Sequence, residues 1–299
     1  MQIVKYGQKL DTPLALALGY FETMHLGHTA LINQAKLVAA EDGSKVAIFT
    51  FDRKSTKEVF TFDERMRLYE RCGVDYVIVA TFDKQFAATK GADFFAKLND
   101  LLNVKTFVCG FDYTFGNDRL DKFDLTRLID GKQRLFVCKQ VSLDGHKVCS
   151  SALRSLLAAN DIKQVNKLLG RPYFISGKVC HGRGVGKTMG FPTANICVPS
   201  DKILPQGVFC GQTDIEGVAY PVIVNIGGKP TFDIAEITVE VHVVGYVGDL
   251  YGKNLTVELT DFIRDITKFD NQRQLAEQLT KDVDYAKQRF THQGEKHLD

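Results

Sequence analysis

The sequence changes its pattern once, around Gly170-Arg171-Pro172, and that change constrains the fold more than any other feature. Before it, strand-like apolar runs at 14–21, 46–51, 75–80, 105–109 and 134–141 alternate with helically spaced segments at 29–40, 62–72, 92–102 and 120–128. Such alternation implies right-handed crossovers and a doubly wound, mostly parallel sheet. After it, the runs at 173–179, 208–214, 219–224, 238–244 and 254–259 are short, β-rich and divided by turn residues. No helix-length periodic segment follows until 272–289, the pattern of a small closed antiparallel barrel with a terminal helix. At 299 residues the chain is long enough for two cores. The expectation is a Rossmann-like α/β domain over 1–169, ending in a short helix at 164–169, and an antiparallel β-barrel domain over 173–299.

Composition excludes more than it assigns. A hydrophobic share of 44% with 25% charged residues is that of an ordinary globular protein, and the net charge of +2 indicates neither nucleic acid nor a membrane surface. Seven cysteines without a C-x-x-C pair indicate neither a disulfide framework nor a zinc ribbon, so a reducing cytoplasm is expected. The apolar run 14–18 is too short for a membrane span and has no basic leader before it.

Two regions carry chemistry. His181 to Asn195 holds Gly182, Gly184, Gly186 and Gly190, which let a backbone approach a ligand closely, with Arg183 and Lys187 suited to phosphate. It is not a P-loop: His181 stands where that motif needs glycine, and Gly190 and Pro192 forbid the helix that must follow. The dinucleotide G-x-G-x-x-G spacing fails as well. Pro192 fixes the backbone before Thr193 and Asn195, which share a face in an extended segment and can hold a hydrated Mg²⁺ with nucleotide oxygens. In the first half, His25-Leu26-Gly27-His28 lies between a strand and a helix, near a helix N-terminus that favours anions. Ser150 and Ser151 can cap the next helix, and Arg154, one turn in, offers a fork of donors to a triphosphate. Further on, Glu240 and His242 share one face of an alternating strand. Each has a plainer reading: solvated histidines or half of a metal site, a capped helix with a surface arginine, a solvated strand face.

Gly190-Phe191-Pro192-Thr193-Ala194-Asn195 resembles the riboflavin kinase signature, with its preceding glycine-rich loop. His-x-Gly-His, Ser150-Ser151-Ala152-Leu153-Arg154 and Gly110-Phe111-Asp112-Tyr113-Thr114-Phe115-Gly116 resemble the bacterial flavin adenylyltransferase module. In this order, across essentially the whole chain, the sequence resembles the prokaryotic bifunctional riboflavin kinase/FAD synthetase family. Asn225-Ile226-Gly227, Pro230-Thr231-Phe232, Tyr251-Gly252-Lys253 and Arg264 add to the match. The resemblance implies two ATP-dependent reactions, riboflavin to FMN and FMN to FAD. It implies Glu240 as the base of the kinase, and Gly184, Gly186, Lys187, Gly190, Pro192, Thr193 and Asn195 around the nucleotide, with Mg²⁺ on Thr193 and Asn195. His25, His28, Ser150, Ser151 and Arg154 would serve adenylylation. Partners would be small molecules (riboflavin, FMN and ATP), with no nucleic acid and no membrane; oligomeric state is not legible. Two departures stand out: Glu22-Thr23 replaces the family's Asp-Gly, and Arg53-Lys54-Ser55 lacks two prolines of a loop on the flavin side. They leave open a chain with one activity only, or a flavin-binding regulator.

Overall fold

In the computed structural model, residues 1–52, 57–129, 131–181, 190–228 and 237–295 are described. Strand β2 (Leu10–Leu18) is built on Leu14 to Leu18, every one buried, and β3 (Lys45–Asp52) on Val46 to Thr50, likewise buried. Strands covered on both faces read as continuous apolar runs, which is why these stood out. With β1 (Gln2–Lys5), β4 (Tyr76–Thr81), β5 (Leu102–Gly110) and β6 (Arg134–Cys138) they form one sheet, ordered β1-β4-β3-β2-β5-β6. Every neighbouring pair is parallel. The order reverses direction at β2, so the crevice past the carboxyl ends of β2 and β5 is the place where such sheets bind ligands. Helices α1 (Leu26–Asp42), α2 (Phe62–Arg71), α3 (Lys84–Ala87), α4 (Gly91–Leu101) and α5 (Lys122–Leu128) connect the strands. Helix α1 starts at Leu26, ahead of the periodic segment, because the His25 side chain caps it. Strand β6 stops at Cys138 rather than 141, where the chain enters the two-residue strands β7 (Ser142–Leu143) and β8 (His146–Lys147). Those strands, β1 and α3 are too short for periodicity to reveal.

The chain divides into two compact units, Met1–Ala152 and Leu153–Asp299, and α6 (Ser150–Ala158) contains the division. In the second unit β9 (Tyr173–Cys180), β10 (Ala194–Cys197), β11 (Gly207–Ile215), β12 (Val218–Gly228), β13 (Ile237–Val243) and β14 (Asn254–Arg264) close into an antiparallel barrel, ordered β10-β13-β12-β11-β14-β9. Alternate residues such as Val239 and Val241, or Val222 and Val224, fill it and are buried. The terminal helix α8 (Gln272–Glu295) lies against the outside, packing Val283 and Ala286 on Val208, Cys210 and Ile223. Strand β10 is not among the β-rich runs of the sequence, where only Thr193 to Asn195 read as extended. A strand holding Asn195 just after Pro192 lacks β-propensity, and ladders to β9 and β13 on its two sides hold it in place.

Two features differ from the sequence reading. Cys180 and Cys197 form a disulfide, although cysteine number and spacing gave no sign of one. Bridges between neighbouring strands depend on register, which spacing does not encode. Helix α7 (Ile162–Leu169) packs on the barrel strands β9 and β14. It buries Ile162, Val165, Leu168 and Leu169, and Asn166 donates to the Leu259 carbonyl at 2.8 Å while accepting from the Tyr173 amide at 2.7 Å. A fragment 153–299 is therefore expected to unfold cooperatively. A fragment 170–299 should lose at least about 2 kcal/mol, since each buried aliphatic side chain contributes about 1.5–3 kcal/mol. Urea midpoints test this, and equal midpoints would show that α7 is dispensable to the barrel.

Two candidate active sites

In the first unit, the turn after β2 is held in a costly conformation. Phe21 and Met24 have φ of 51° and 46°, each costing about 1–2 kcal/mol outside glycine, and both side chains are fully buried, which fixes them there. The result is a tight presentation of the histidines. His25 Nδ1 accepts from the His28 amide at 3.1 Å, so a neutral His25 carries its proton on Nε2. The two rings stack at 3.8 Å with 13° between planes. Thr23, which stands where the family has glycine, is buried; its Oγ1 lies 3.0 Å from Ser150 Oγ and 3.5 Å from His28 Nδ1. The start of α6 is thereby joined to the histidine turn. His25, His28, Ser150 and Ser151 all line one cavity of about 560 Å³, together with Asp112, Lys139, Lys147 and Cys149. Arg154 follows one turn along α6 from Ser150, past Ala152 where the first unit ends.

The Cys149 thiol sits at the start of that helix. Partial burial pushes its pKa up, but hydrogen bonds from the Ser151 side chain and the Ala152 backbone, with the Lys147 charge, outweigh this and hold it below the ordinary value. Asp112 and Tyr113 also line a second cavity of about 360 Å³, walled by Tyr20, Phe49, Phe51, Phe82, Phe86, Phe94 and Phe115. Two of its wall residues, Tyr20 and Phe51, join a buried network. Arg65 donates to Glu58 at 3.3 Å, to the Phe51 carbonyl at 3.2 Å and to Thr50 Oγ1 at 3.2 Å, while the Tyr20 hydroxyl also bonds Glu58. Glu22, the other residue that departs from the family, is buried and accepts from the Val59 amide. Glu22 and Thr23, the first departure, are thus both satisfied within the fold. Arg53, Lys54 and Ser55 lie outside the described residues.

In the second unit, Gly190 has φ of 82°, a conformation glycine adopts without penalty, and the chain then runs into β10. His242 Nδ1 meets the Pro192 carbonyl at 2.8 Å, and its ring lies edge-on to Phe191 at 5.6 Å. The proton of that bond is therefore on Nδ1, since a carbonyl only accepts. The sheet register then sets a row across the barrel: Asn195 opposite Glu240, Glu240 opposite Asn225, Asn225 opposite Val208, Val208 opposite Arg264. Glu240, His242, Asn225, Arg264 and Thr193 line a cavity of about 300 Å³ whose other wall is apolar, from Phe191, Ile223, Ile266, Phe269 and the α8 residues Leu275, Leu279 and Val283. Asn225 Oδ1 is buried there without a hydrogen-bond partner among the described residues. Arg264 is bound to Asp282 at 2.7 Å, which fastens α8 to β14. On its other side Thr193 lines a cavity of about 380 Å³ at one end of the barrel, with Pro192, Tyr246, Asp249 and Tyr251. One threonine therefore walls both cavities.

Gly184, Gly186 and Lys187 lie outside the described residues, as do Pro230, Thr231 and Phe232. Among the described residues no group of three or more His, Cys, Asp and Glu side chains could hold a metal. The hydroxyl of Thr193 and the amide of Asn195 are hard oxygen donors, which suits Mg²⁺ with most of its water retained. Thr23, read in the sequence only as a departure, bonds Ser150, and Asp112, Cys149 and Asn225 line the cavities although the sequence reading gave none of them a role. Asn225 lay within a quoted family match, but its place beside Glu240 exists only once β12 pairs with β13.

The FAD synthetase family profile matches residues 7–152 and the riboflavin kinase profile residues 169–290. The bifunctional riboflavin kinase/FMN adenylyltransferase of Listeria monocytogenes is 32% identical over 91% of this chain and 91% of its own length. That of Bacillus subtilis is 33% identical, over 92% of each chain. A crystal structure from Streptococcus pneumoniae, described as a macrolide-efflux protein, superposes with a TM-score of 0.86 at 30% identity, covering 95% of this chain and 98% of that one. Among the described residues of this chain no helix is long and apolar enough to cross a membrane. With both profiles in order and relatives above 30% identity along nine-tenths of its length, the chain belongs to the bifunctional riboflavin kinase/FMN adenylyltransferase family.

Proposed function

We propose that this chain phosphorylates riboflavin with ATP to give FMN, and adenylylates FMN with a second ATP to give FAD and pyrophosphate. The observation that carries the reading is the in-register row Asn195–Glu240–Asn225, set beside a threonine that walls two cavities. Transfer between two bound molecules needs adjoining pockets with a base at the junction. The half-apolar 300 Å³ slot suits a flat flavin ring, and Asn225 Oδ1 supplies an acceptor for a ribityl hydroxyl. The 380 Å³ cavity takes ATP. Glu240 accepts the proton of the flavin 5′-hydroxyl as its oxygen attacks the γ-phosphorus. Thr193 and Asn195 would hold Mg²⁺, which would supply charge neutralisation for the phosphates. Gly184, Gly186 and Lys187 are assigned to the ATP phosphates on the resemblance.

In the first unit, the 560 Å³ cavity takes the second ATP, and the aromatic cavity takes the ring of FMN. The FMN phosphate oxygen attacks the α-phosphorus. His25, His28, Ser150 and Ser151 with the N-terminus of α1 stabilise charge on the phosphates, and Arg154 is assigned to this reaction on the resemblance alone. No covalent enzyme intermediate is needed. Adenylylation is assigned to residues before 170, and phosphorylation to the barrel over 173–299 with α7 as its support.

Cys149 reports on this assignment. At neutral pH iodoacetamide should alkylate it ahead of Cys138, Cys210 and Cys109, whose thiols burial pushes up, that of Cys109 to about 12. ATP should slow the reaction at Cys149; equal labelling with and without ATP would remove ATP from this cavity. The reading as a whole is tested by incubating the protein with riboflavin, ATP and Mg²⁺ and separating the flavins with time. FMN should rise first and FAD follow. If FMN never forms, the barrel is not a kinase; FMN without FAD, even when FMN is supplied in excess, confines the activity to the barrel.

A further inference from the structure

The disulfide between Cys180 and Cys197 sits on the strands that enclose the nucleotide segment. Cys180 ends β9, Cys197 ends β10, and Gly190 to Asn195 lie between them in sequence. In the ladder Cys180 is directly opposite Asn195, and Cys197 is opposite Lys178. The two cysteines are diagonal neighbours with Cα atoms 6.0 Å apart, inside the range a disulfide spans without moving backbone. Cys180 is half-buried and Cys197 exposed, so soluble thiols and disulfides reach the pair. The other five cysteines are free.

The strand being fastened is weak. Strand β10 has four residues and three register pairs on each side. Its approach to β9 depends on Gly177, where a Cβ would come within 2.2 Å of the Cys197 carbonyl oxygen. Yet this short strand carries Asn195 opposite Glu240 and continues from Thr193. A cross-link two residues from Asn195 fixes the register that sets Asn195 against the base. In the reduced form, that ordering is left to ATP and Mg²⁺ and is subtracted from their binding.

We propose that Cys180 and Cys197 are a reversible dithiol/disulfide pair that tunes ATP binding at the phosphorylation site, the oxidised form binding more tightly. The oxidant is a soluble disulfide, RSSR. The exposed Cys197 thiolate attacks one of its sulfurs and releases RS⁻, which takes up the Cys197 proton, forming a mixed disulfide. The Cys180 thiolate then attacks Cys197 Sγ and releases the second RS⁻, which takes up the Cys180 proton. Two thiols are oxidised, one RSSR is reduced to two RSH, and no other reductant or oxidant takes part.

This rests on the assignment of ATP to the barrel, and the test separates the two. The full chain is equilibrated in oxidised and reduced glutathione at several ratios, quenched with acid, alkylated and mapped by mass spectrometry. A linked Cys180–Cys197 peptide is expected at oxidising ratios and two alkylated peptides at reducing ones, whatever the enzyme does. The ATP dissociation constant of the barrel site, resolved from that of the first unit by a two-site fit, and the ATP KM for FMN formation are measured on the same samples. Both should be about three- to tenfold lower in the oxidised form, the effect of ordering one or two side chains in advance. Cys197→Ser, and independently Cys180→Ser, should hold the reduced-form values at every ratio. The proposal is overturned if the linked peptide never appears, if ATP binding is the same or weaker when it does, or if either serine variant still responds to glutathione. A chain that forms the link and binds ATP more tightly without making FMN would uphold the proposal while sinking the kinase reading.

Discussion

Replacing Glu240 with glutamine should lower the rate of FMN formation about a hundredfold or more, with ATP and riboflavin binding nearly unchanged. The glutamine keeps the size and hydrogen bonding of the half-buried side chain between Asn195 and Asn225 but cannot take a proton, and general base catalysis is worth about 10²–10⁴-fold. The loss should therefore fall on kcat and leave KM little altered, as for an interaction made only in the transition state. Adenylylation of supplied FMN is the internal control, because no part of that site involves the barrel row. A rate within about threefold of the parent would show that Glu240 is not the base. A parallel loss of both activities would point to misfolding instead.

His28→Ala should have a comparable effect on the other reaction. The ring stacks on His25 and lines the cavity with Ser150, where the proposed adenylylation would develop negative charge as pyrophosphate leaves. Removing one such preorganised donor costs about 10²–10³ in rate. FAD formation from FMN should drop by that factor, while FMN formation from riboflavin is unaffected. The same cavity should still bind ATP, because the α1 N-terminus and Ser150 remain. If FAD forms at the parental rate, the histidines are cap and packing residues only, which the His25 cap and the Phe21–His28 ring contact at 5.2 Å would then explain.

Much of this was legible in the sequence, for identifiable reasons. Strands β2 and β3 are buried on both faces and so read as unbroken apolar runs, and the histidine motif fell where a strand gave way to helical spacing. Glu240 and His242 stood on one face of β13 because a strand alternates, and both do line one cavity. What stayed hidden depends on contacts between distant segments. Thr23 looked like a defect in a glycine position, yet it bonds Ser150 across the fold. Asn225 and the Cys180–Cys197 bridge follow from registers that no local pattern encodes. Helix α7 read as the close of the first domain because it follows α6 in sequence, whereas its apolar face is packed on β9 and β14. Strand β10 is the extreme case: four residues of poor propensity, held by two neighbours, bearing the residue opposite Glu240.

The most direct test of two sequential reactions on one chain is to follow the phosphorus atoms of ATP. With riboflavin, Mg²⁺ and ATP labelled at the γ-phosphorus, the label should appear in FMN and persist in FAD. With ATP labelled at the α-phosphorus, FMN should stay unlabelled and FAD should carry the label. Label from the α-phosphorus in FMN, or FAD formed without any γ-label, would contradict phosphorylation by the barrel followed by adenylylation in the α/β unit.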